Sequence, residues 1–249
     1  MEAVAVIPAR YASTRFPGKP LAQDTGKHLI QHVCERLAGA KRIRDVIVAT
    51  DDERIRAAVE SFGGRAVMTR EDHPSGTDRV AEVVAGLDAE LILNVQGDEP
   101  EIDAAHLDLL VDRMAQDSDA EVGTLCCPFA KDADPRDPNR VKVVVASNGR
   151  ALYFSRSLIP FPRDAAGVPG ESADWLLHVG VYAYRRDALT KLAALPPSRL
   201  EQVERLEQLR ALENGMAIAV VRVDRAAPGI DTPDDYAAFV ARWRERSGA

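Results

Sequence analysis

Three cations crowd one short segment near the N-terminus. In Pro8–Pro20 (PARYASTRFPGKP), Arg10, Arg15 and Lys19 accompany Gly18. A guanidinium can fork to two phosphate oxygens, and a lysine supplies a compact point charge. The segment follows the apolar run VAVIP (4–8), which predicts a buried strand, and in open α/β sheets ligands bind where such loops leave the strand ends. It therefore suits a polyanion, although a solvated basic loop has the same composition. Two familiar phosphate motifs are excluded. A Walker loop ending at Gly18-Lys19 needs Gly at 13 and Ser or Thr at 20, where this chain has Ser13 and Pro20. The GxGxxG dinucleotide fingerprint is absent.

Two aspartates are candidate metal ligands. Asp98 follows the apolar run LILNVQ (91–96) in QGDEP, where Gly97 lets the chain turn. A carboxylate there can hold Mg²⁺, which prefers hard oxygen donors and retained waters; a turn aspartate reads the same. Asp231 stands in GIDTPDDY. Thr232 reads as a helix N-cap, with Pro233 at the first helical position and Asp235 three residues on. Asp231 then lies outside the helix and is not required as its cap, leaving either a ligand or a surface acid near a helix N-terminus.

Other constellations are weaker. His28 and His32 have helical i, i+4 spacing but Leu29 between them, so this is no HExxH site, and a solvated helix face is expected. No GxSxG nucleophile elbow occurs. Glu207 and Gln208 sit in an amphipathic pattern with Leu206, Leu209 and Leu212 and by default face solvent. Cys34, Cys126 and Cys127 lack zinc or redox spacing and read as reduced core thiols.

The elements that must position these residues alternate. Strands are expected at 4–8, 45–50, 66–69 and 91–96, with helices over His28–Leu37, Glu53–Phe62 and Thr77–Leu87. Continuous rather than alternating hydrophobicity marks strands covered on both faces, so this is the βαβ alternation of a doubly wound, mostly parallel α/β sheet. The pattern changes after about residue 120. Two strand-like runs flank Asn148-Gly149 within 141–156, a hairpin signal, and another strand follows at 178–184. Residues 122–184 read as a partly antiparallel, β-rich extension. A helix over Leu200–Leu212, a strand at 217–223 and a helix from Pro233 complete the chain, and the Pro/Gly/Ala-rich loop 162–174 is expected to be mobile.

The 249 residues carry a formal net charge of −7, which argues against nucleic acid as the main partner. Hydrophobic residues are 46% and charged residues 29%, an ordinary globular balance. MEAVAVIPAR has no signal-peptide character, and no apolar stretch approaches the ~20 residues of a membrane span, so a cytoplasmic location without membrane insertion is expected.

Nine segments together resemble the 3-deoxy-manno-octulosonate (Kdo) cytidylyltransferases. They are IPARYASTRFPGKPL (7–21), VIVATDD (46–52), MTREDHPSGTDR (68–79), NVQGDEP (94–100), PNRVKVV (138–144), RALYFSR (150–156), HVGVYAYR (178–185), LEQLR (206–210) and DTPDD (231–235), in family order over nearly the whole chain. The resemblance implies a single Rossmann-like nucleotidyltransferase domain over 1–249, with 122–184 contributing to sugar binding and to a homodimer. It implies an Mg²⁺-dependent transfer of CMP from CTP to the anomeric 2-hydroxyl of Kdo, releasing pyrophosphate, for lipopolysaccharide biosynthesis. A related ulosonic acid (amino-Kdo or sialic acid) as substrate, or a non-catalytic nucleotide-binding homologue, are the alternatives.

By the same resemblance Arg10, Arg15 and Lys19 hold the CTP phosphates, and Ser75 and Gln96 contact the nucleotide. Asp98 and Asp231 bind the metal and, with Arg10 and Lys19, form the catalytic set. Arg156, His178, Tyr182, Glu207 and Gln208 form the Kdo site, Arg156 as partner of the sugar carboxylate. Three departures from the family pattern stand out: the stretch from Pro228 to Asp231 is two residues short, position 78 is Asp rather than Glu, and 162–174 has no counterpart.

Overall fold

The computed structural model describes residues 1–12, 15–131, 133–163 and 175–248. They form two compact units: Glu2–Asp108 with Ala227–Ala249, and Leu109–Ala226 with Met1.

The first unit contains four parallel strands, β1 (Ala3–Ala9), β2 (Ile43–Thr50), β3 (Arg65–Met68) and β4 (Leu91–Asn94), in the order β3-β2-β1-β4. Ala3 through Ile7 are all buried, which is why β1 reads as an unbroken apolar run. Helices α1 (Leu29–Ala38), α2 (Glu53–Ser61) and α3 (Gly76–Ala85) supply the crossovers. Their starts have local causes. Asp52 accepts from Arg54 N at 2.9 Å to cap α2, and Ser75 accepts from Asp78 N at 3.2 Å to cap α3. The last helix, α8 (Pro233–Ser247), opens with the expected Thr232–Asp235 capping box and Pro233 in its first turn. It buries Tyr236, Phe239 and Val240 with Leu29 and Ile230. Removing a ring such as that of Phe239 from water contributes on the order of 2 kcal/mol.

One expectation fails in this unit. His32 is 3% exposed and does not lie on a solvated face. It sits edge-on against Phe239 and Trp243, with ring centroids 5.1 and 4.5 Å away, and its Nε2 lies 2.7 Å from Thr25 Oγ1. Packing of α8 on α1 covers the face that i, i+4 spacing had marked as polar. His28 is the N-cap of α1 and lies outside the helix.

The second unit is entered through α4 (Ala104–Gln116). Its strands are β5 (Val122–Pro128), β6 (Lys142–Val145), β7 (Ala151–Ser155), β8 (Leu176–Arg185) and β9 (Ile218–Arg222). β5 pairs parallel with β9 and antiparallel with β8. β6 and β7 form the expected antiparallel hairpin, with Gly149 at φ 78° in the turn, and β6 also pairs with β8. Helix α5 (Arg186–Ala194) follows β8. The single helix expected over 200–212 is two short ones, α6 (Arg199–Glu204) and α7 (Gln208–Glu213). They are broken at Arg205, whose φ of 54° is left-handed and ends α6.

The class is the expected one: α/β, with mixed, mostly parallel strand pairing and a β6–β7 hairpin extension. Residues 164–174 of the loop expected to be mobile lie outside the described residues. Among the described residues no helix is long and apolar enough to cross a membrane.

Candidate functional site

In the first unit the segment after β1 doubles back as a 3-10 turn at Lys19–Leu21. Gly18 makes this possible: its φ is 71°, its N–H donates to Tyr11 O at 3.0 Å, and a Cβ there would meet the Tyr11 ring at 3.2 Å. The fold-back aims Lys19 inward. Its Nζ donates to Asp98 Oδ2 at 2.8 Å and to Ile230 O at 2.6 Å. Ile230 N in turn donates to Asp98 O at 2.9 Å, so the segment before α8 is tied to the turn after β4. Asp231 therefore stands beside Asp98 despite the shortened stretch preceding it. Arg15 pairs with Asp231 at 3.0 Å, and the Asp231 N–H is held by Asp235.

The loop's cations thus meet the two acids pairwise, Lys19 with Asp98 and Arg15 with Asp231. Arg10 is oriented differently, through a 2.8 Å bond from Nη2 to His73 O. Arg10, Arg15, Lys19, Gln96 and Asp98 line a cavity of about 390 Å³, with Gly76 on its wall. Gly76 opens α3 and packs on Pro8, where a Cβ would come within 3.3 Å. The N-terminal end of a helix beside fixed cations favours phosphate. Next to Asp98, burial reinforced by the Asp98 charge pushes the Glu99 carboxyl up to about 8, so Glu99 is mainly protonated at neutral pH. Ser75 has a structural task already, since it caps α3 and donates to Asp78 at 2.7 Å. The shorter side chain at position 78 suits that local pairing.

Sequence reasoning missed the residue that joins two of the matched segments. Arg79 is fully buried and donates to Asp51 at 2.7 Å and to Thr69 Oγ1, linking the ends of β2 and β3 to α3. The available signal was a basic residue in the first turn of a helix, directly ahead of the buried Val80.

The second unit gathers the other candidates. His178 and Tyr182 both lie on β8, where four residues of regular strand span roughly 13 Å. Their ring centroids are 5.5 Å apart. The register against β5 explains this: Thr124 opposes Tyr182 but Leu125 opposes Val179, so β8 bulges at Gly180-Val181. Thr124 ties the bulge down, donating to Val181 O at 2.7 Å with its Oγ1 3.0 Å from His178 Nε2. Burial pulls the His178 imidazole down to about 3, leaving it neutral at pH 7. Burial, with Tyr184 and Glu207 adding to it, holds the Tyr182 phenol protonated.

Gln208 opens α7 and does not face solvent: it is 5% exposed, and its buried Nε2 has no partner among the described residues. An orphaned buried donor is costly unless a ligand meets it. Glu207 is the exposed N-cap residue of α7. Arg156 directs Nε to Glu204 O at 2.7 Å, Nη1 to Pro138 O at 2.9 Å and Nη2 to Arg205 O at 3.3 Å. Three of its five N–H donors go to backbone carbonyls, so a carboxylate fork would draw on one N–H from each terminal nitrogen.

Comparisons with known proteins bear on the family of the chain. A cytidylyltransferase family model matches residues 4–218. The chain is 52% identical over 248 residues to the 3-deoxy-manno-octulosonate cytidylyltransferase of Syntrophotalea carbinolica, covering 98% of this chain and 99% of that one. It is 49% identical over 232 residues to the protein of that name from Escherichia coli, covering 93% and 92%. A solved structure of CMP:2-keto-3-deoxy-manno-octonic acid synthetase complexed with CTP superposes with a TM-score of 0.93 at 47% identity, covering 99% of this chain and all of that one.

Proposed function

The chain belongs to the 3-deoxy-manno-octulosonate cytidylyltransferase family and makes CMP-Kdo from CTP and Kdo, and we propose that it does so with a triphosphate site in the first unit and a sugar site in the second. The observation that carries the first site is the pairing of Lys19 with Asp98 and Arg15 with Asp231, with Arg15, Lys19 and Asp98 lining one cavity. Bound triphosphate takes over the two cations and releases both carboxylates. Arg10 adds a third positive charge, and Gln96 contacts the nucleotide from the cavity wall; Ser75 contributes by capping the helix that opens there.

The freed donor set fits Mg²⁺. Among the described residues no cluster of three or more His, Cys, Asp or Glu side chains suited to a metal occurs. Two carboxylates completed by phosphate oxygens and water suit this cation. Asp98 and Asp231 would hold Mg²⁺, whose charge would lower the pKa of the attacking hydroxyl and offset the charge on departing pyrophosphate. The sugar's 2-hydroxyl oxygen bonds to the α-phosphorus, the bond to the β-phosphate oxygen breaks, and the hydroxyl proton passes to solvent. Arg10, Arg15 and Lys19 hold the transferring group in line and neutralise the charge that develops.

On the sugar side, Arg156 draws the Kdo carboxylate. Neutral His178, the Tyr182 hydroxyl, Glu207 and the orphaned Gln208 amide bond its hydroxyls. The two units serve one nucleotidyltransferase of 249 residues acting in cytoplasmic lipopolysaccharide biosynthesis. Segment 122–184 also supplies the homodimer contact: Leu152, on β7, and Phe161 are 61% and 65% exposed, large apolar side chains that a second copy would cover.

The testing measurement is pyrophosphate release with CTP, Kdo and Mg²⁺ together and with each omitted in turn. Release only with all three is expected. Turnover with another acidic sugar and none with Kdo would overturn the assignment.

A further inference from the structure

Strand β6 begins with a lysine inside an apolar run, VKVVV, and that lysine is fully buried. Burying an ammonium is costly unless each of its protons finds an acceptor. Lys142 Nζ donates to Asp137 O at 3.1 Å, to Arg140 O at 2.7 Å and to Arg156 O. Three donors meet three backbone carbonyls, and among the described residues no carboxylate stands within ion-pair distance. Burial draws this ammonium below the ordinary lysine range.

The carbonyls belong to two separate segments, the loop 137–140 and the end of β7. Arg156 extends the connection to a third. Its backbone N–H is held by Glu204 Oε2 at 2.9 Å, while Glu204 Oε1 accepts from Ser155 Oγ at 2.6 Å. Its guanidinium returns to Pro138 O, Glu204 O and Arg205 O. Arg205 is the only non-glycine residue with positive φ among the described residues. A left-handed arginine costs on the order of 1 kcal/mol and persists only where its surroundings hold it. The three residues after it are Leu206, Glu207 and Gln208.

We propose that Lys142 is a positioning residue for sugar binding: through Arg156 and Glu204 it fixes the left-handed turn at Arg205 that presents Glu207 and Gln208, and it touches no substrate itself. The inference rests on the sugar site proposed above.

The test compares Lys142→Met, Glu204→Gln and Gln208→Leu in the full-length chain, reading KM for Kdo, KM for CTP and thermal unfolding. Lys142→Met is expected to raise KM for Kdo about tenfold or more while KM for CTP stays within about twofold, because only one substrate loses its binding geometry. Glu204→Gln, which puts an amide where a carboxylate accepted two donors, is expected to shift KM for Kdo in the same direction and to fold normally. If Lys142→Met does not fold, Glu204→Gln decides alone. An unchanged KM for Kdo, or equal increases for both substrates, overturns the inference. If Gln208→Leu raises KM for Kdo and the other two variants do not, the inference falls and the sugar site stands. If Gln208→Leu also leaves it unchanged, both fall.

Discussion

Lys19 Nζ lies 2.8 Å from Asp98 Oδ2, so the innermost cation of the first loop occupies a carboxylate proposed above as a metal ligand. Arg15 stands in the same relation to Asp231. Asp98→Asn and Asp231→Asn are each expected to reduce turnover by about a hundredfold or more, since they remove charge that acts on the transition state. Thermal stability is expected to fall by less than about 1 kcal/mol, because both carboxylates are partly exposed. Chelating Mg²⁺ should abolish turnover in the unmodified protein and restoring it should recover the rate. Turnover of Asp231→Asn near the unmodified rate would remove Asp231 from the metal site.

Acid should weaken the fold through His32. Burial pulls this imidazole from 6.5 down to about 4, against a smaller opposing effect of Glu35. Between those values the unfolded chain binds the proton and the folded chain does not, so stability is lost as pH falls below the unfolded value. The loss from this one ring is about 2 kcal/mol at about pH 5 relative to neutral pH. His178 adds a loss of the same sign. Urea unfolding at the two pH values, repeated on His32→Gln, should show a shallower pH dependence in the variant. An equal slope would contradict the burial argument.

The three thiols should be inert in the folded protein. Burial pushes Cys34 up to about 12 and Cys126 up to about 11, and it raises Cys127 as well. Thiolate is the reactive form. A thiol reagent applied near neutral pH should therefore label the native chain slowly and all three cysteines rapidly after unfolding. Fast labelling of any one of them in the native chain would contradict that environment.

For the proposed homodimer contact, Leu152→Glu and Phe161→Glu should each shift the mass measured by light scattering from two chains toward one. A stable dimer typically buries at least about 1,200 Å², which tolerates no unpaired carboxylate at its centre. CTP binding should survive both changes, as the cavity proposed for the triphosphate lies in the first unit. An unchanged mass would place the contact elsewhere.

Much of this architecture was legible from local pattern. Continuous apolar runs marked β1, β2 and β4, and Asn148-Gly149 marked the hairpin, because burial and turn chemistry leave their trace in consecutive residues. The capping residues around Asp231 were equally local. What escaped depended on contacts made far along the chain. His32 is buried by α8, two hundred residues later. The break at Arg205 carries no compositional mark, since left-handed positions ordinarily read as Gly or Asn. His178 and Tyr182 meet only because β8 bulges, and strand periodicity alone would keep them apart. Ser75-Gly76-Thr77-Asp78 carries its capping pattern in consecutive residues too.

The paired cations and acids of the first loop bear on ionic strength. A polyanion entering a bare basic pocket expels mobile counter-ions, and its affinity then falls steeply with added salt. Here Lys19 and Arg15 carry counter-ions that are covalently part of the chain. Exchanging Asp98 and Asp231 for phosphate releases nothing to the bulk, so CTP affinity at fixed Mg²⁺ should fall with sodium chloride less steeply than three cations would otherwise dictate. Asp98→Asn, which frees Lys19 to hold a mobile anion, should steepen that slope.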